Sequence, residues 1–432
     1  MTLIKGEKSN APLVGKESAI PIDTTTVWTG LAKWLPERSD DYNYWWLLTG
    51  RHLALMLQEA QYPIHQQYEI LLFHYYIIIP KLGPRPSLTQ SKPWKSFMTD
   101  DHSPIEYSWK WGLVGERSEV RYSVELIGPS AGTKLDPLNQ IATKELLLQL
   151  TSVFPGLNLK WFDHFSQGLF PRTCDTTVDE NADYSSSTFL AFEFLKKDIA
   201  VKAYFMPRNP SNFGNILSSS ISEAIQMIGQ QDLDFKSFAV LQDFLKHDQD
   251  GSILRMVMLA IDLVEPAQSR IKIYLRSNTI SLAHVCAVMS LGGRKSVAAE
   301  AIEELRQLWY EIHASSTGLP PSTELPFQDH YTAGAIFHVD VQPGNAIPDI
   351  KFYFPVRHYS SSDLAVGQGL TRFLTQRGRG ECADGYMKVL AELAGRHSLE
   401  ENCGYQTYIS CAFQKGQLAI TSYLSPQVYS KT

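Results

Sequence analysis

A cation followed two residues later by a tyrosine recurs on three strand-like segments of the chain. The three pairs are Lys202 with Tyr204, Lys272 with Tyr274, and Lys351 with Tyr353. Because alternate residues of a strand point to the same face, each pair would present a positive charge beside a phenol. Such a face suits a diphosphate, to which Lys and Arg donate charge-assisted hydrogen bonds and Tyr hydroxyls donate neutral ones.

Neighbouring positions extend this cationic pattern. Arg270 precedes Lys272 by two residues, and Arg276 follows Tyr274 on the same face. Arg121 holds an equivalent position on an earlier segment. A single Lys-x-Tyr usually lies on a solvated strand face, but three at corresponding positions favour one shared surface. If that surface lines an enclosed cavity, the cavity must contain water or bind an anion, because unpaired buried charges are costly.

These segments belong to five predicted β-hairpins, in which polar and apolar residues alternate on both sides of a short turn. The hairpins cover residues 105–128, 187–207, 256–277, 333–359 and 405–426. Equivalent positions of their second strands are 70 to 81 residues apart; they are Arg121, Lys202, Lys272, Lys351 and Tyr423. Since helical patterns lie between the hairpins, the chain is predicted to repeat one supersecondary unit.

Ten antiparallel strands are enough to close a barrel, and closure removes exposed sheet edges. One face of each strand is apolar, so helices are predicted to cover it, and the cationic face would line the lumen. The predicted fold class is α+β: a ten-stranded antiparallel barrel of repeated α-β-β-α units with helices outside. Residues 1–25 are polar and are predicted to form a flexible N-terminus, followed by a single barrel domain over residues 26–432.

Composition restricts the possible partners and the compartment. The 432 residues carry a formal net charge of −6, so neither a nucleic acid nor a membrane surface is expected as a partner. The five cysteines are scattered and form no C-x-x-C spacing, which argues against a disulfide framework or a thiolate zinc site. The longest apolar stretch, residues 70–80, is about half the length that a bilayer requires. These features predict a cytoplasmic protein.

A set of segments spread over about residues 40–426 forms a recognisable combination. The segments are DDHSPIEYSWKW, EVRYSVELIG, VKAYFMP, EPAQSRIKIY, LGGRK, IKFYFPVRHY, and the C-terminal TYIS and TSYLSP. Together they resemble the fungal aromatic prenyltransferases of the dimethylallyltryptophan synthase family. The resemblance implies a barrel around a solvent-filled lumen and transfer of a dimethylallyl group from dimethylallyl diphosphate to an electron-rich ring, commonly an indole. It also implies that no metal or other cofactor is required.

The resemblance assigns roles to particular residues. The donor diphosphate would be bound by Arg121, Lys202, Arg270, Lys272 and Lys351. The allylic carbon would be shielded by Tyr204, Tyr274, Tyr353, Tyr408 and Tyr423, whose ring faces stabilise positive charge. Glu106 would be the catalytic residue and would accept a hydrogen bond from an indole N–H. The aromatic acceptor would be contacted by Phe97, Met98 and Glu106.

Two positions depart from the family pattern. Tryptophan-specific members have a lysine where ungapped counting places Phe189, and the family has a second C-terminal tyrosine, four residues before Tyr423, where this chain has Ala419. Both changes are expected to enlarge the pocket or make it less polar, so the predicted acceptor is a tryptophan-containing cyclic dipeptide or an indole alkaloid. Two alternatives stay open. One is a phenolic or polyketide acceptor, toward whose hydroxyl Glu106 would act as a base; the other is a non-catalytic barrel that binds an anionic aromatic ligand.

Weaker motifs add no separate activity. The acidic DENAD segment (179–183) has metal-site spacing but lacks a second acidic motif, so it is predicted to be a solvated loop. The HDQDG segment (247–251) is predicted to be a turn, because its twelfth position is not the Glu that a calcium loop needs. His338 and His358 are predicted to be packed or lumen-facing polar residues, since no HExxH spacing is present.

Overall fold

The computed structural model describes residues 26–86, 94–170, 186–206, 218–224, 235–313 and 320–429. Within these ranges the chain forms ten β-strands. They are β1 (Ile105–Lys110), β2 (Glu119–Val124), β3 (Thr188–Phe194), β4 (Ile199–Phe205), β5 (Arg255–Asp262), β6 (Ile271–Ser277), β7 (Ala335–Val341), β8 (Asp349–Phe354), β9 (Gln406–Gln414) and β10 (Gln417–Leu424). The predicted N-terminal segment 1–25, the DENAD segment 179–183 and Cys174 lie outside the described residues.

The ten strands form one closed antiparallel barrel in which consecutive strands pair with each other. β1 pairs with β10, with Ser108 opposite Tyr423, and this pairing closes the sheet. Because every strand has two neighbours, the sheet presents no free edge. The register shifts between Met256 and Met258 on β5 and after Tyr423 on β10. The predicted ten-stranded antiparallel barrel is confirmed.

Helices pack around the barrel. The α-helices are α1 (Thr26–Trp34), α2 (Asp40–Trp45), α3 (Arg51–Glu59), α4 (Ile64–Phe73), α5 (Ile141–Thr151), α6 (Lys160–Leu169), α7 (Lys236–His247), α8 (Gln249–Ser252), α9 (Leu282–Met289), α10 (Ala299–Ile312), α11 (Val356–Tyr359), α12 (Asp363–Thr375) and α13 (Ala383–Ala394). Residues 218–224 are helical as well. π-helical turns over Trp46–Gly50 and His74–Ile78 continue α2 and α4.

Large apolar side chains fill the layer between the helices and the outer face of the barrel. On α10, Leu305, Leu308, Trp309 and Ile312 are buried with helical spacing. The Trp309 ring lies 4.9 Å from the ring of Phe354 on β8, measured between centroids. Since this layer takes up one face of the strands, the alternate residues of each strand face the lumen.

Two local predictions are wrong. The predicted continuation of the fourth hairpin through Arg357 fails, because β8 ends at Phe354 and α11 begins at Val356. Pro355 lies between them and has no N–H to donate to a strand ladder. The predicted turn at HDQDG contains the short helix α8, whose N-cap Asp248 accepts a hydrogen bond from the amide of Asp250.

The described cysteines are free thiols at positions 286, 382, 403 and 411. They sit in different surroundings, since Cys382 and Cys411 are buried and Cys403 is exposed. Across the ranges that the structure describes, no helix has both the length and the apolar character needed to cross a bilayer.

Candidate active site

Two adjoining cavities occupy the lumen of the barrel. One has a volume of about 370 Å³ and is lined largely by charged side chains. The other has a volume of about 230 Å³ and is lined mainly by apolar and aromatic side chains. We call them the charged cavity and the aromatic cavity. Four tyrosines line both cavities and are called the tyrosine layer: Tyr204, Tyr274, Tyr353 and Tyr423.

The charged cavity collects the predicted diphosphate-binding residues. All five line it: Arg121 on β2, Lys202 on β4, Arg270 just before β6, Lys272 on β6, and Lys351 on β8. They are far apart in the sequence, so closure of the barrel is what brings their charges into one space. The structure therefore places these five cations together, as a site for a polyanion requires.

Acidic side chains of adjacent strands hold these cations in position. Three cation–acid pairs face each other across the strand register: Arg121 with Glu193, Lys202 with Asp262, and Lys272 with Asp340. Sequence reasoning missed these acids. The sequence signal that could have identified them is that the first strand of the second, third and fourth hairpins each carries one acidic residue on the face that points into the lumen.

Direct ion pairs link the cations to these acids. Arg121 Nη1 lies 2.5 Å from Glu193 Oε1, and Lys202 contacts the same carboxylate oxygen. Arg270 Nε lies 2.7 Å from Asp262 Oδ2, while Lys272 contacts the other oxygen of Asp262. Shared carboxylates of this kind offset the cost of burying several charges close together.

The ion pairs leave two lysines in a strongly cationic environment. Burial, followed by the neighbouring Lys202, lowers the pKa of Lys272 to about 7. Burial, followed by Arg121 and Lys202, lowers the pKa of Lys351 to about 7. Lys351 makes no ion pair within the described part of the chain. A bound anion would favour the protonated form of both lysines, so these groups predispose the cavity to anion binding.

The four rings of the tyrosine layer lie next to one another where the two cavities adjoin. Ring centroids are 6.1 Å apart for Tyr204 and Tyr274, 6.0 Å for Tyr274 and Tyr353, and 5.4 Å for Tyr353 and Tyr423. Burial raises the pKa of all four phenols, so they are neutral at pH 7. Neutral ring faces stabilise a nearby cation. Tyr408, the fifth predicted tyrosine, lines only the aromatic cavity, with its ring 6.2 Å from that of Tyr353.

Glu106 is a carboxyl group in the wall of the aromatic cavity. It projects from β1 and lines this cavity together with Phe97 and Met98. The Thr407 hydroxyl donates a hydrogen bond of 2.7 Å to Oε1. Burial raises the pKa of Glu106 to about 7, although the hydrogen bond from Thr407 and the charge of Arg357 oppose this shift. The carboxyl group therefore titrates near neutral pH, where a general base is most effective.

Glu125 fixes the loop that carries Phe97, and sequence reasoning missed it. Its carboxylate accepts hydrogen bonds of 2.6 Å from Trp94 Nε1, 2.6 Å from Ser96 Oγ, 3.1 Å from the Phe97 amide and 2.6 Å from Ser186 Oγ. The residue is fully buried just beyond the end of β2. The sequence signal that could have identified Glu125 is that it is the acidic residue within the apolar end of the EVRYSVELIG segment.

The two departures from the family pattern fall in different cavities. Phe189 lines the aromatic cavity and stacks on Tyr204, with ring centroids 4.3 Å apart and planes inclined by 12°. Its ring also meets the edge of Phe97 at 5.6 Å, so this wall is apolar. Ala419 lines the charged cavity instead. The two changes therefore do not alter one shared cavity: Phe189 affects the aromatic cavity and Ala419 the charged one.

Of the two histidines singled out in the sequence, His338 lines the charged cavity, whereas His358 is packed in a polar cluster beside the aromatic cavity. His338, on β7, makes a 2.8 Å hydrogen bond to Asp340, and its ring stacks on Tyr274 at 4.9 Å. His358, on α11, hydrogen-bonds Thr332 Oγ1 at 2.7 Å. Burial lowers the pKa of His338, and burial lowers the pKa of His358 to about 4. Both rings are therefore neutral near pH 7.

A small polar cluster borders the aromatic cavity. Asp100, His330 and His358 place possible ligand atoms within 4.8 Å of one another. Arg357 Nε lies 2.9 Å from Asp100 Oδ2, and Thr332 Oγ1 also donates to this carboxylate. A guanidinium on the same carboxylate repels a metal ion. The cluster is better suited to holding Arg357 in place than to binding a metal.

Comparison with known proteins identifies close relatives in sequence. The family described as tryptophan dimethylallyltransferase matches residues 41–389. Prenyltransferase anuH from Penicillium roqueforti (strain FM164) is 38% identical over 422 residues, which cover 94% of this chain and 93% of the relative. Xanthone prenyltransferase B from Emericella nidulans is 35% identical over 429 residues, which cover 94% of this chain and 92% of the relative.

Solved structures match the barrel. AnaPT from Neosartorya fischeri superposes with a TM-score of 0.77 at 25% identity, covering 93% of this chain and 97% of AnaPT. NotF, solved in complex with brevianamide F and DMSPP, superposes with a TM-score of 0.76 at 23% identity, covering 92% of this chain and 98% of NotF. The relatives rule out the non-catalytic alternative and confirm the predicted enzyme class. The chain belongs to the tryptophan dimethylallyltransferase family and is an aromatic prenyltransferase.

Proposed function

We propose that the protein transfers a dimethylallyl group from dimethylallyl diphosphate to the ring of a hydroxylated aromatic acceptor. The observation that carries this proposal is the tyrosine layer, which lines the region where a cation-lined cavity adjoins an aromatic one. The diphosphate would occupy the charged cavity, the dimethylallyl tail would lie against the tyrosines, and the acceptor would fill the aromatic cavity. Holding donor and acceptor in this order lowers the barrier through proximity and orientation.

Ionisation of the donor would begin the reaction. The bond between the allylic carbon and oxygen breaks, and both electrons leave with the diphosphate. The five cations of the charged cavity would stabilise this leaving group without reorganising. The tyrosine faces would stabilise the allylic cation that remains.

We propose that this reaction requires no metal ion, because the five fixed cations can supply the charge stabilisation. Activity measured after exhaustive EDTA treatment tests this point. We expect a rate within about twofold of that measured with added Mg²⁺, a difference of less than 1 kcal/mol in barrier. A strict requirement for Mg²⁺ would contradict the proposal.

Glu106 would activate the acceptor. Its carboxylate would accept the hydrogen of a ring hydroxyl, which increases the electron density of the ring. A ring carbon then attacks the allylic cation and forms the new carbon–carbon bond, and the ring proton passes to the released diphosphate, which restores aromaticity. The geometry supports this role, because Glu106 lines the aromatic cavity together with the tyrosines that would face the allylic carbon.

One observation favours a hydroxylated acceptor over the indole predicted from the sequence: a relative with 35% identity is named for xanthone, an oxygenated aromatic. The apolar ring of Phe189 in the wall of the aromatic cavity argues against free tryptophan only, because the resemblance implies a lysine at this position in tryptophan-specific members. NotF was solved with brevianamide F, but its 23% identity supports the fold alone. The indole acceptor stays the second candidate, since Glu106 would also accept an indole N–H.

An acceptor panel tests the two candidates. The purified protein is incubated with dimethylallyl diphosphate and either dihydroxynaphthalene, a dihydroxyxanthone, tryptophan or a tryptophan-containing cyclic dipeptide, and products are read by mass spectrometry. We expect kcat/KM to be at least about tenfold higher for the hydroxylated rings, because a site built for a hydroxyl discriminates against rings that lack one. A preference for the cyclic dipeptide would support the indole acceptor, and prenylation of none of them would contradict the proposed function.

A further inference from the structure

Arg276 differs from the other arginines that line the two lumen cavities. Arg121 and Arg270 pair with carboxylates in the charged cavity, and Arg357 Nε lies 2.9 Å from Asp100 Oδ2. Within the described part of the chain, Arg276 makes no ion pair, and its buried Nε has no hydrogen-bond partner. The wall of the aromatic cavity therefore carries a guanidinium that forms no ion pair with any described side chain, and the nearby carboxylate of Asp100 is already paired with Arg357.

The strand register places Arg276 on the acceptor side of the tyrosine layer. It follows Tyr274 by two residues on β6, so its Cα lies about 7 Å further along the same lumen face. Its neighbours across the sheet are Arg255 on β5 and Ile336 on β7, neither of which is acidic. Arg276 lines the aromatic cavity and not the charged one. It is therefore placed to meet the acceptor and not the diphosphate.

The carboxylates closest to this part of the cavity already have donors. Glu106 accepts a 2.7 Å hydrogen bond from Thr407, and Asp100 accepts from both Arg357 and Thr332. The remaining polar groups of the wall include tyrosine hydroxyls, which carry no charge at neutral pH. Because a partly desolvated cation is costly without a counter-charge, a ligand that brings a negative charge would be favoured here.

We propose that Arg276 binds an anionic oxygen of the aromatic acceptor, supplied by a carboxylate or an ionised phenol on the ring. This inference rests on the proposed function, because it specifies which aromatic acceptors the aromatic cavity takes. A planar guanidinium donates two parallel hydrogen bonds to a carboxylate, so it fixes the orientation of the ring as well as its charge. Arg276 would thus select acidic phenols against neutral aromatics of the same shape.

Matched probes test this selection. The first pair is 2,4-dihydroxybenzoate and its methyl ester, which share the ring hydroxyls but differ in charge. A further probe without a carboxylate, 7-hydroxycoumarin, is measured below and above the pKa of its phenol, to distinguish an ionised phenol from a carboxylate. Binding is measured by isothermal titration calorimetry, and prenylation with dimethylallyl diphosphate by mass spectrometry. The proteins compared are the wild type, Arg276→Met, Arg276→Lys, and the control Arg306→Met, which changes an exposed arginine on α10.

We expect the wild type and the control to bind at least one anionic probe about tenfold or more tightly than its neutral counterpart, as charge-assisted hydrogen bonds predict. Arg276→Met should remove this preference while leaving the KM for dimethylallyl diphosphate within about twofold, and Arg276→Lys should keep part of it. Because Arg276 forms no ion pair with a described carboxylate, its replacement by methionine leaves no buried acid unpaired, and the variant is expected to fold. An unchanged preference in Arg276→Met, or equal binding of all charged and neutral probes by the wild type, would overturn the inference.

The same experiment separates this inference from the proposed function. If anionic probes bind in an Arg276-dependent way but no probe is prenylated, the anion site stands and the proposed reaction fails. If neutral hydroxylated rings are prenylated and Arg276→Met changes neither their binding nor that of the acids, the reaction stands and the anion site fails.

Discussion

At the scale of single residues, the charged cavity depends on cations that share carboxylates. Lys202 contacts Glu193, which Arg121 also contacts through Nη1 at 2.5 Å. Removing Lys202 therefore leaves Glu193 with a partner, so the change subtracts one positive charge from the donor site without leaving an acid alone. This arrangement makes Lys202 a suitable position for testing diphosphate binding.

For Lys202→Met we expect kcat/KM for dimethylallyl diphosphate to fall by about 10- to 100-fold, since one charge-assisted hydrogen bond to the leaving group is lost. Steady-state rates at varied donor concentration measure this. The matched control is Lys388→Met on α13, whose exposed side chain pairs with Glu59 away from the lumen. An equal loss in both variants, or no loss in Lys202→Met, would argue against donor binding in the charged cavity.

Glu106 is the residue on which acceptor activation depends. Glu106→Gln preserves size and can still accept a hydrogen bond, but it cannot take a proton. We expect kcat to fall by about 100-fold or more, as for loss of a general base, with binding of the donor nearly unchanged. Calorimetric titration with inorganic diphosphate provides the binding control. Full activity in Glu106→Gln would remove Glu106 from the mechanism.

The pH dependence should contain two opposite limbs. Burial raises the pKa of Glu106 to about 7, so kcat at saturating donor should rise with pH through this value as the carboxylate forms. Burial lowers the pKa of Lys272 and Lys351 to about 7, so kcat/KM for the donor should fall as pH rises further and these lysines lose their protons. Rate profiles between pH 5 and pH 9 of the wild type and Glu106→Gln test this. Persistence of the rising limb in Glu106→Gln would contradict its assignment to Glu106.

At the scale of elements, Glu125 links the end of β2 to the loop that carries Phe97 and Met98. Four donors converge on its carboxylate, including the Phe97 amide at 3.1 Å. The loop should therefore lose its position when this acceptor is weakened, while the charged cavity on the other side of the tyrosine layer is untouched.

We expect Glu125→Gln to lower the free energy of unfolding by about 1–3 kcal/mol, because it leaves buried donors unsatisfied. It should raise KM for the acceptor several-fold and leave KM for the donor unchanged. Denaturant unfolding and steady-state kinetics with each substrate varied measure these effects. A parallel rise of both KM values would indicate general unfolding rather than displacement of the acceptor loop.

Strand elements were predictable from sequence because alternation and the Lys-x-Tyr repeat are local signals. The end of β8 was not predictable, because the alternation of polar and apolar residues continues through Pro355 into α11. For this reason Arg357 was predicted to lie on a strand, although it lies on a helix. The acidic partners Glu193 and Asp262 were missed for a different reason. Their pairing with Arg121, Lys202 and Lys272 depends on strand register and on diagonal contacts, which a single sequence does not reveal.

At the scale of the whole molecule, function depends on closure of the barrel. The pairing of β1 with β10 brings Glu106 and Tyr423, which are distant in sequence, into the same lumen. The closed barrel and the convergence of the cations were predictable from the number of hairpins and their spacing. The division of the lumen into two cavities was not, because it depends on side-chain packing; for that reason the sequence did not reveal that Tyr408 lines only the aromatic cavity and Ala419 only the charged one.

The most direct test is a crystal structure of the protein with dimethylallyl thiolodiphosphate and a hydroxylated aromatic acceptor. The account predicts the diphosphate among the five cations of the charged cavity, the dimethylallyl group against Tyr274, Tyr353 and Tyr423, and the acceptor ring beside Glu106. Diphosphate bound outside the charged cavity, or an acceptor separated from the allylic carbon by the tyrosine layer, would contradict it.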